Sequence, residues 1–378
     1  MSKPFRVMSI FGTRPEAIKL APVIHSLRSD SFFESRVVVT GQHRQMLDGV
    51  LSAFEIVPDH DLNVMQPNQS LNALTCRVMQ GLEPILAKEK PEIILVQGDT
   101  TTVFAAALAA FYLKIPVGHV EAGLRTPNKY NPFPEEINRR LTSQLSDIHF
   151  CPTEGAKQAL LREGFCASTV HVTQNTVIDA LLYVTSHERT KPEVLKDIDF
   201  EKRILAVTMH RRENQGAPMA EVCRALMELC DQFPDIEVVI PLHLSPTVQN
   251  VVRPLLKDNP QIHIIEPLDY FDFTYLLKKS YLILSDSGGV QEEAPSVGKP
   301  VLVLREVTER PEGVDAGINF LVGTNVKRIV DMASAFLLDC DLYTRTAQRT
   351  NPYGDGHAAS RINRLLKEFL PRVRSSQE

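Results

Sequence analysis

Short apolar runs alternate with longer helical patterns along almost the whole chain, and this alternation constrains the fold more than any other feature. Continuous Val, Ile and Leu runs predict strands that are buried on both faces, as in parallel sheets covered by helices. The predicted strands are 6–10, 36–39, 93–96, 117–120, 148–151 and 170–173, then 204–208, 237–241, 262–265, 282–285, 301–304 and 319–322. The helical patterns include 17–27, 70–87, 101–113 and 135–145. The sequence therefore predicts an α/β fold with parallel sheets.

A polar and charged segment, 185–201, separates the two series of strands. Each series is long enough to bury its own core. We therefore expect two Rossmann-like, doubly wound domains that face each other across a cleft. The N-terminal domain is placed at residues 1–172 and the C-terminal domain at 173–357.

Short motifs stand just after several of the predicted strands. They are GTRPE at 12–16, GDTT at 98–101, EAGLR at 121–125, HRRE at 210–213 and DSGG at 286–289. Ligands of open parallel sheets bind beside the carboxyl ends of the strands. We therefore expect these loops to converge on the cleft.

The Gly-rich turn after the strand at 282–285 has the features of a phosphate site. Ser287, Gly288 and Gly289 allow the backbone to approach an anion, and a helix that opens at Val290 offers unpaired N–H groups. Glu293 is expected about one turn inside that helix, where a carboxylate can accept hydrogen bonds from a ribose. The alternative is an ordinary strand-to-helix turn with an acidic first turn.

The first loop carries two cations. Pro15 suits the first helical turn, which places Arg14 at the mouth of the cleft and Lys19 about one turn later. Both side chains are candidates to contact a pyrophosphate or a sugar. The alternative is that Arg14 and Lys19 form solvated pairs with Glu16 or other acids.

Acidic side chains follow three predicted strands or loops of the first domain. Asp99 is either a reactive group or the cap of the next helix, and Glu121 is either reactive or paired with Arg125. Glu135 begins a helix, where acids are routinely stabilising. Neighbouring carboxylates raise one another's pKa and can serve as acid and base on one substrate. The sequence therefore makes Asp99, Glu121 and Glu135 acid/base candidates only as a set.

The second domain contributes basic side chains at its strand ends. His210 and the two arginines after it can neutralise a phosphate leaving group, and Arg310 lies in a later loop on the same side. The alternative is that Arg211 or Arg212 pairs with Glu213 and that His210 is a polar loop residue.

Composition narrows the class of function. The net charge of −5 argues against a nucleic-acid binder but allows an anionic ligand. The six cysteines include no CxxC pair, which favours buried reduced thiols and no metal site. No apolar stretch is long enough to span a membrane and no signal peptide is recognised, so a cytoplasmic location is expected. No nicotinamide-binding pattern follows the first strand, and no cofactor is expected.

The motifs also resemble a known family when they are taken together and in order. FGTRPEAIKLAP, QHRQML, QGDTT, GHVEAGLRT, PFPEEINR, HRRE, SDSGGVQEEAPSVGKPVLV, TERPE and NPYGDG resemble those of the non-hydrolysing UDP-N-acetylglucosamine 2-epimerases. The resemblance implies two domains of the glycosyltransferase-like GT-B type, with a C-terminal helix, about 358–378, packed on the first domain. It implies interconversion of UDP-N-acetylglucosamine and UDP-N-acetylmannosamine through loss of UDP and a 2-acetamidoglucal, in the supply of cell-surface polysaccharide.

The resemblance also assigns roles to residues. It makes Asp99, Glu121 and Glu135 the acid/base candidates and places His210 near the diphosphate. The positions that match substrate contacts are Arg14, Lys19, Phe273 for the uracil, Ser287, Gly288, Gly289, Glu293 and Arg310.

Two further properties are implied only by the resemblance: a homodimer, and a second, regulatory UDP-N-acetylglucosamine place beside the active site. Gln42, Gln45, Arg211 and His243 match that regulatory place, with Glu135, whereas Asn68 departs from its pattern. The competing hypotheses are a hydrolysing 2-epimerase, a glycosyltransferase that uses a UDP-sugar, and a non-catalytic nucleotide-sugar sensor.

Overall fold

The fold was analysed in a computed structural model that describes residues 3–41, 44–66, 69–187 and 190–377, without the side chains of 44–46, 212, 376 and 377. The chain forms two compact units, residues 1–180 with 354–378 and residues 181–353. Each unit is built on a parallel sheet, which confirms the predicted α/β class. The boundary at residue 180 lies eight residues after the one placed from the sequence.

The first unit has a seven-stranded sheet in the order β3-β2-β1-β4-β5-β6-β7. The strands are β1 Phe5–Phe11, β2 Phe33–Val39, β3 His60–Asp61, β4 Ile93–Gln97, β5 Val117–Val120, β6 Ile148–Cys151 and β7 Val170–Val172. The helices are α1 Arg14–Arg28, α2 Arg44–Ala53, α3 Leu71–Glu89, α4 Thr101–Tyr112, α5 Glu135–Leu145, α6 Glu154–Arg162 and α7 Thr176–Ser186, which continues into the second unit. Every residue of β4 and β5 is buried, as expected for central strands covered on both faces.

The second unit has a six-stranded sheet in the order β10-β9-β8-β11-β12-β13. The strands are β8 Arg203–Thr208, β9 Ile236–Pro241, β10 Ile262–Ile265, β11 Leu282–Ser285, β12 Val301–Val303 and β13 Asn319–Leu321. The helices are α8 Ala217–Gln232, α9 Pro246–Leu256, α10 Tyr270–Lys279, α11 Gly288–Glu293, α12 Pro311–Asp315, α13 Val326–Leu338 and α14 Cys340–Ala347.

The last helix, α15 Ala358–Gln377, belongs to the first unit and packs on α1. Asn363 Nδ2 donates to Ser26 O at 3.0 Å, and Lys367 pairs with Asp30 at 2.6 Å. The buried carboxylate of Asp179 accepts the N–H of Ala359 at 2.8 Å and so satisfies an unpaired donor at the start of α15. In the described part of the chain no helix is long and apolar enough to cross a membrane.

The strand order of each sheet reverses direction once, between β1 and β4 in the first unit and between β8 and β11 in the second. In doubly wound sheets ligands bind at such reversals, beside the carboxyl ends of the strands. The loops that follow these four strands are therefore where a site is expected in each unit.

The prediction of buried thiols was wrong for half of the cysteines. Cys151, Cys223 and Cys230 are buried, and burial raises the pKa of each thiol to about 12. The exposed cysteines are Cys76, Cys166 and Cys340. They lie on the outer face of α3, in a turn before β7 and at the first position of α14, where no core covers them.

Candidate functional site

The first unit brings the carboxylates of Asp99, Glu121 and Glu135 into one electrostatic neighbourhood. The pKa of Asp99 is raised, first because of burial; Arg139 opposes the rise, and the charges of Glu121 and Glu135 add to it. Arg139 Nη2 lies 2.6 Å from Asp99 Oδ2, and Asn138 Nδ2 donates to Asp99 O at 3.0 Å. The predicted alternative for Asp99 was wrong, since Thr100 caps α4 by accepting the N–H of Val103.

Glu121 is held in an unusual backbone conformation just after β5. Its φ of +64° lies in the left-handed region, which side-chain-bearing residues rarely adopt. Lys19 Nζ lies 2.5 Å from Oε1, Asn175 Nδ2 donates to Oε1 at 3.4 Å, and Gln97 Nε2 donates to Oε2. Strain of this kind persists only where the surroundings fix it, and it concentrates at functional sites.

The predicted partner of Glu121 was wrong. Arg125 instead forms a two-pronged pair with Glu163, through Nε and Nη2 at 2.8 Å each. Lys19 comes from α1, which is close to β5 only in the folded sheet, and so it takes the place that sequence proximity gave to Arg125.

The two acids that open α5 have opposite environments. Glu136 is fully buried; it accepts Arg140 Nε at 2.6 Å and the N–H of Thr126 at 2.9 Å, which makes it part of the scaffold. Glu135 Oε2 is also buried, but none of the described residues bonds it. A buried carboxylate oxygen without a partner is costly, and such an atom marks a place where a ligand can bond.

The loop after β1 is fixed by a third buried acid. Glu16 Oε2 accepts the N–H groups of Gly12 at 2.6 Å and Thr13 at 3.1 Å, and burial raises its pKa. This capping box aligns α1 so that Lys19 reaches Glu121. Arg14 is the first residue of α1, and no ion pair of Arg14 is found among the described residues.

His119 fixes the loop after β4 by a hydrogen bond to its backbone. Its Nε2 lies 2.8 Å from Gly98 O, and the ring is fully buried. Burial lowers its pKa to about 3, although the bond to Gly98 opposes this. His119 is therefore a neutral support of the segment that carries Asp99.

The second unit gathers donors around one buried acid that the sequence analysis did not single out. Asp286 has no exposed surface and accepts the N–H groups of His210 and Arg211 at 2.9 Å each and Asn214 Nδ2 at 3.1 Å. Burial alone would raise its pKa, but hydrogen bonds from His210 and from these amides outweigh burial and lower it. The only sequence signal was an Asp before Ser-Gly-Gly, which is typical of any turn.

The Gly-rich turn lies beside Arg310. Helix α11 begins at Gly288 rather than at Val290, with Ser287 as its N-cap. Gly288 is buried, and a Cβ on it would lie 3.0 Å from Arg310 Cζ, whereas Gly289 is exposed and has no neighbour closer than 3.9 Å. Arg310 Nε donates to Glu292 Oε1 at 2.9 Å, which holds the guanidinium over the turn.

The remaining predicted residues of the second unit lie around these groups. Glu293 is the last residue of α11, just over one turn from its start, and accepts the hydroxyl of Tyr270 at 3.0 Å. Phe273 lies on α10, half-buried. The rings of His210 and His243 are nearly parallel with centroids 6.4 Å apart.

The alternative predicted for Glu213 was an ion pair with Arg211 or Arg212. Glu213 pairs with Arg305 at 2.7 Å, and Arg211 Nε is a buried atom that no described residue bonds. Of the positions that resemble a regulatory place, Gln42 and the Gln45 side chain lie outside the described residues, as does Asn68. Within the described ranges, no group of three His, Cys, Asp or Glu side chains is arranged to hold a metal ion.

Two doubly wound units, one with carboxylates at its sheet reversal and one with a Gly-rich turn beside basic side chains, define a two-domain α/β enzyme of the nucleotide-binding class. A family model described as UDP-N-acetylglucosamine 2-epimerase matches residues 25–367. The chain belongs to this family, which confirms the resemblance found in the motifs.

Individual relatives agree along the whole length. The chain is 51% identical to the UDP-N-acetylglucosamine 2-epimerase of Yersinia pestis over 369 residues, 96% of this chain and 98% of the relative. The structure of UDP-GlcNAc 2-epimerase from Neisseria meningitidis bound to UDP-GlcNAc has a TM-score of 0.87 and 49% identity, covering 96% of this chain and all of that chain. The S. aureus MnaA–UDP structure has a TM-score of 0.85 and 48% identity, with 97% of each chain covered.

Proposed function

We propose that this protein interconverts UDP-N-acetylglucosamine and UDP-N-acetylmannosamine by inverting sugar carbon C2. A carboxylate takes the C2 proton, the C2–H electron pair forms a C1=C2 double bond, and the C1–O bond breaks as UDP leaves. The product of this step is 2-acetamidoglucal. Return of UDP to C1 with a proton delivered to the other face of C2 completes the inversion.

The observation that carries the proposal is the set of unlike carboxylates that follow β4, follow β5 and open α5 in the first unit. Inversion needs a base on one face of the sugar and an acid on the other. Asp99 has a raised pKa, which suits a group that exchanges protons near neutral pH, and Glu135 has a buried oxygen without a described partner. The donors around Glu121 suit an ionised carboxylate that the lysine holds in place.

The second unit supplies what the leaving group needs in this proposal. A diphosphate that leaves with an extra electron pair is stabilised by cations and N–H donors already in position. His210, Arg310 and the turn at Ser287 and Gly288 are assigned to the diphosphate. The ribose is assigned to Glu293 and the uracil to Phe273. The hydroxyl of Tyr270 already donates to Glu293 Oε1 at 3.0 Å.

The test is a proton NMR time course with UDP-N-acetylglucosamine, a chelator and no added nicotinamide. The proposal predicts UDP-N-acetylmannosamine that reaches a constant ratio with the substrate, and the same ratio from the opposite direction. Free N-acetylmannosamine with UDP would instead assign the protein to the hydrolysing class. Transfer of the sugar only when an acceptor is present would assign it to the glycosyltransferases, and binding without turnover would leave a sensor.

We further propose that the product supplies cell-surface polysaccharide synthesis in the cytoplasm. UDP-N-acetylmannosamine is an activated sugar, so the enzyme that consumes it must be a transferase or a dehydrogenase acting on a UDP-sugar. Loss of the gene is expected to remove N-acetylmannosamine-derived sugars from the envelope, which carbohydrate analysis of purified envelope can detect.

The homodimer remains a proposal that the outer face of the first unit supports. Tyr130 and Phe133 are 66% and 63% exposed, and Ile137 and Leu141 of α5 continue the same apolar stripe at helical spacing. Exposed apolar stripes of this kind mark interaction surfaces. Leu141→Asp is expected to convert a dimer into a monomer in light scattering, while Leu338→Asp, on another exposed leucine, leaves the mass unchanged.

Regulation by a second UDP-N-acetylglucosamine is also proposed, through Gln42, Gln45, Arg211 and His243. The support in the described residues is the unpaired, buried Arg211 Nε, a donor available to an anion. A sigmoidal rate or a requirement for UDP-N-acetylglucosamine in the reverse direction is expected. Hyperbolic kinetics in both directions would remove this part of the proposal.

A further inference from the structure

The contact between Asp286 and the His210 side chain has a consequence for the imidazole of His210. Asp286 Oδ2 is the acceptor for the N–H groups of His210 and Arg211 and for Asn214 Nδ2. Asp286 Oδ1 lies 3.1 Å from His210 Nδ1. Oδ2 therefore holds the loop after β8, whereas Oδ1 faces the ring and also accepts the N–H of His210 at 3.2 Å.

An ionised carboxylate has no proton to give, so it can only accept hydrogen bonds. The pKa of Asp286 is lowered by its donors despite burial, which keeps the group ionised. At 3.1 Å from an ionised oxygen, a hydrogen on His210 Nδ1 is favoured over a lone pair, which the carboxylate would repel. In the neutral ring the free electron pair is on Nε2, and in the charged ring Nε2 carries the second N–H.

The other edge of the ring is open. The His210 side chain is 41% exposed, and no residue in the described ranges bonds Nε2. The ring of His243 lies nearly parallel to it with centroids 6.4 Å apart. The buried acid thus fixes both the rotation of the imidazole and the nitrogen that faces outward.

The anchor itself is well supported. Asn214 is buried, and its Nδ2 also donates to Leu304 O at 2.9 Å, so the loop is attached beside β12 as well as to Asp286. The loop is further fixed by the pair between Arg305 and Glu213 at 2.7 Å. The backbone of the loop therefore does not depend on the contact between Oδ1 and the ring.

We propose that Asp286 is a positioning residue for His210: it holds the Nδ1–H tautomer and points Nε2 at the diphosphate oxygen that leaves C1. This inference rests on the proposed function for the identity of the leaving group. The charged ring gives its Nε2 proton to the departing oxygen and becomes the neutral Nδ1–H tautomer. Nε2 takes that proton back when UDP returns to C1, so no proton is lost over the cycle.

The substitution Asp286→Asn tests this assignment because it keeps the size of the side chain. The amide oxygen is expected to remain at the Oδ2 position, where three donors point, which places the NH₂ group against His210 Nδ1. Nδ1 can only accept a hydrogen bond from that group, so the neutral ring must move its hydrogen to Nε2. An analogous Asp→Asn change in serine proteases lowers turnover through the wrong tautomer while the geometry stays intact.

The measurement is a long-range ¹H–¹⁵N NMR spectrum of the full chain labelled with ¹⁵N-histidine, with His210 assigned by its loss in His210→Gln. Nδ1 protonated in the wild-type protein and Nε2 protonated in neutral Asp286→Asn are expected. Turnover of Asp286→Asn is expected to fall on the order of 10²-fold, the usual size of an acid–base contribution, with KM changed far less. Protonation of Nε2 alone in the neutral ring of the wild-type protein would overturn the inference, even if Asp286→Asn fails to fold.

Asn214→Ala is the matched control, since it removes a donor to the same carboxylate but leaves Oδ1 and the ring in contact. It is expected to lower the melting temperature and to keep the wild-type tautomer. A tautomer change in Asn214→Ala as large as in Asp286→Asn would mean that loop disorder, not Asp286, sets the ring. Absence of epimerisation by the wild-type protein would refute the proposed function, but the spectrum would still decide the tautomer.

Discussion

The two units share one architecture, but the charged groups in the loops at the ends of their strands differ. In the first unit, Asp99, Glu121 and Glu135 lie near each other, and Lys19 and Arg139 only partly offset their charge. In the second unit, the buried acid Asp286 is surrounded by donors, and Arg310 pairs with the buried Glu292. The same loops after neighbouring parallel strands thus produce an acidic region in one unit and an anion-binding region in the other.

The difference shows in the direction of the pKa shifts. Asp99 is raised because burial and neighbouring acids outweigh Arg139, whereas Asp286 is lowered because hydrogen bonds outweigh an even deeper burial. Burial alone therefore does not decide the protonation of a strand-end carboxylate; the number of donors aimed at it does. A group with a raised pKa suits proton exchange, and one with a lowered pKa suits a fixed charge.

The largest predicted effect is a loss of turnover when carboxylates of the first unit are substituted. Asp99→Asn and Glu135→Gln are each expected to lower turnover by about 10²- to 10⁴-fold, because each removes a proton-exchanging group. The affinity for UDP, measured by calorimetry, is expected to stay close to that of the wild-type protein, since the second unit is assigned to the nucleotide.

Glu136→Gln is the control for Glu135→Gln, because the two acids are adjacent on α5. Glu136 is bonded by Arg140 and Thr126, so its substitution is expected to reduce the free energy of unfolding by about 1–3 kcal/mol with turnover largely retained. Equal losses of turnover in the two variants at full stability would contradict the assignment of Glu135.

The second prediction concerns pH and the support under Asp99. His119 has a pKa of about 3 in the folded protein against an ordinary value of 6.5, so the unfolded state takes up the proton first as the pH falls. The contribution of His119 to the free energy of unfolding is fully present above pH 6.5 and is lost between pH 6.5 and about 3. For the fully buried ring it is on the order of 4 kcal/mol. Urea titrations at successive pH values measure this.

His119→Gln keeps a donor for Gly98 O and removes the titration. The unfolding free energy of this variant is expected to depend much less on pH between 6.5 and 3. An unchanged pH dependence would show that His119 is not the group that makes the first unit sensitive to acid.

The third prediction separates the two glycines of the second unit. Gly288→Ala places a Cβ against the guanidinium of Arg310 and pushes it away from Glu292, so UDP affinity is expected to fall about tenfold, or about 1.4 kcal/mol. A Cβ on Gly289 would lie 3.9 Å from Ser287 Oγ and would not meet Arg310, so Gly289→Ala is the matched control for the contact with Arg310. Calorimetric titration with UDP distinguishes them, and equal affinities would contradict the assignment of Arg310 to the diphosphate.

The smallest predicted effect concerns Glu309 of the second unit. Its contribution to stability is lost at lower pH than that of His119. Burial opposes the shift of Glu309, but its pair with Arg305 lowers its pKa to about 2 from an ordinary 4.5. Its contribution is therefore present above pH 4.5 and is lost as the pH falls towards 2. Because the side chain is 44% exposed, Glu309→Gln is expected to cost no more than about 1 kcal/mol at neutral pH. The same urea titrations measure it, and a difference from the wild-type protein that persists at pH 2 would contradict it.

Much of this fold was predictable because buried parallel strands have continuous apolar sequences. Strands β5, β6, β10 and β11 agree with the predicted bounds residue for residue. Strand β3 was missed because its two residues, His60–Asp61, form no apolar run. The start of α11 was placed two residues late because glycines give little helical signal.

The site was predictable as a set of positions but not as a set of partners. The motifs located the loops at the sheet reversals, since those loops follow the strands that the pattern identified. The pair between Lys19 and Glu121 joins residues that are 102 apart in sequence, and no spacing rule predicts it. The role of Asp286 was not predicted, because it lies in a turn whose composition is common. The catalytic and binding roles of these residues stay predictions.

The central claim is that the carboxylates of the first unit exchange the C2 proton of a UDP-sugar. The direct measurement is turnover of UDP-N-acetylglucosamine in deuterated water, followed by proton NMR of the C2 position. UDP-N-acetylmannosamine with deuterium at C2 is expected, and deuterium is expected to enter the remaining substrate as the reaction reverses. Epimerised product that retains its original hydrogen at C2 would contradict it.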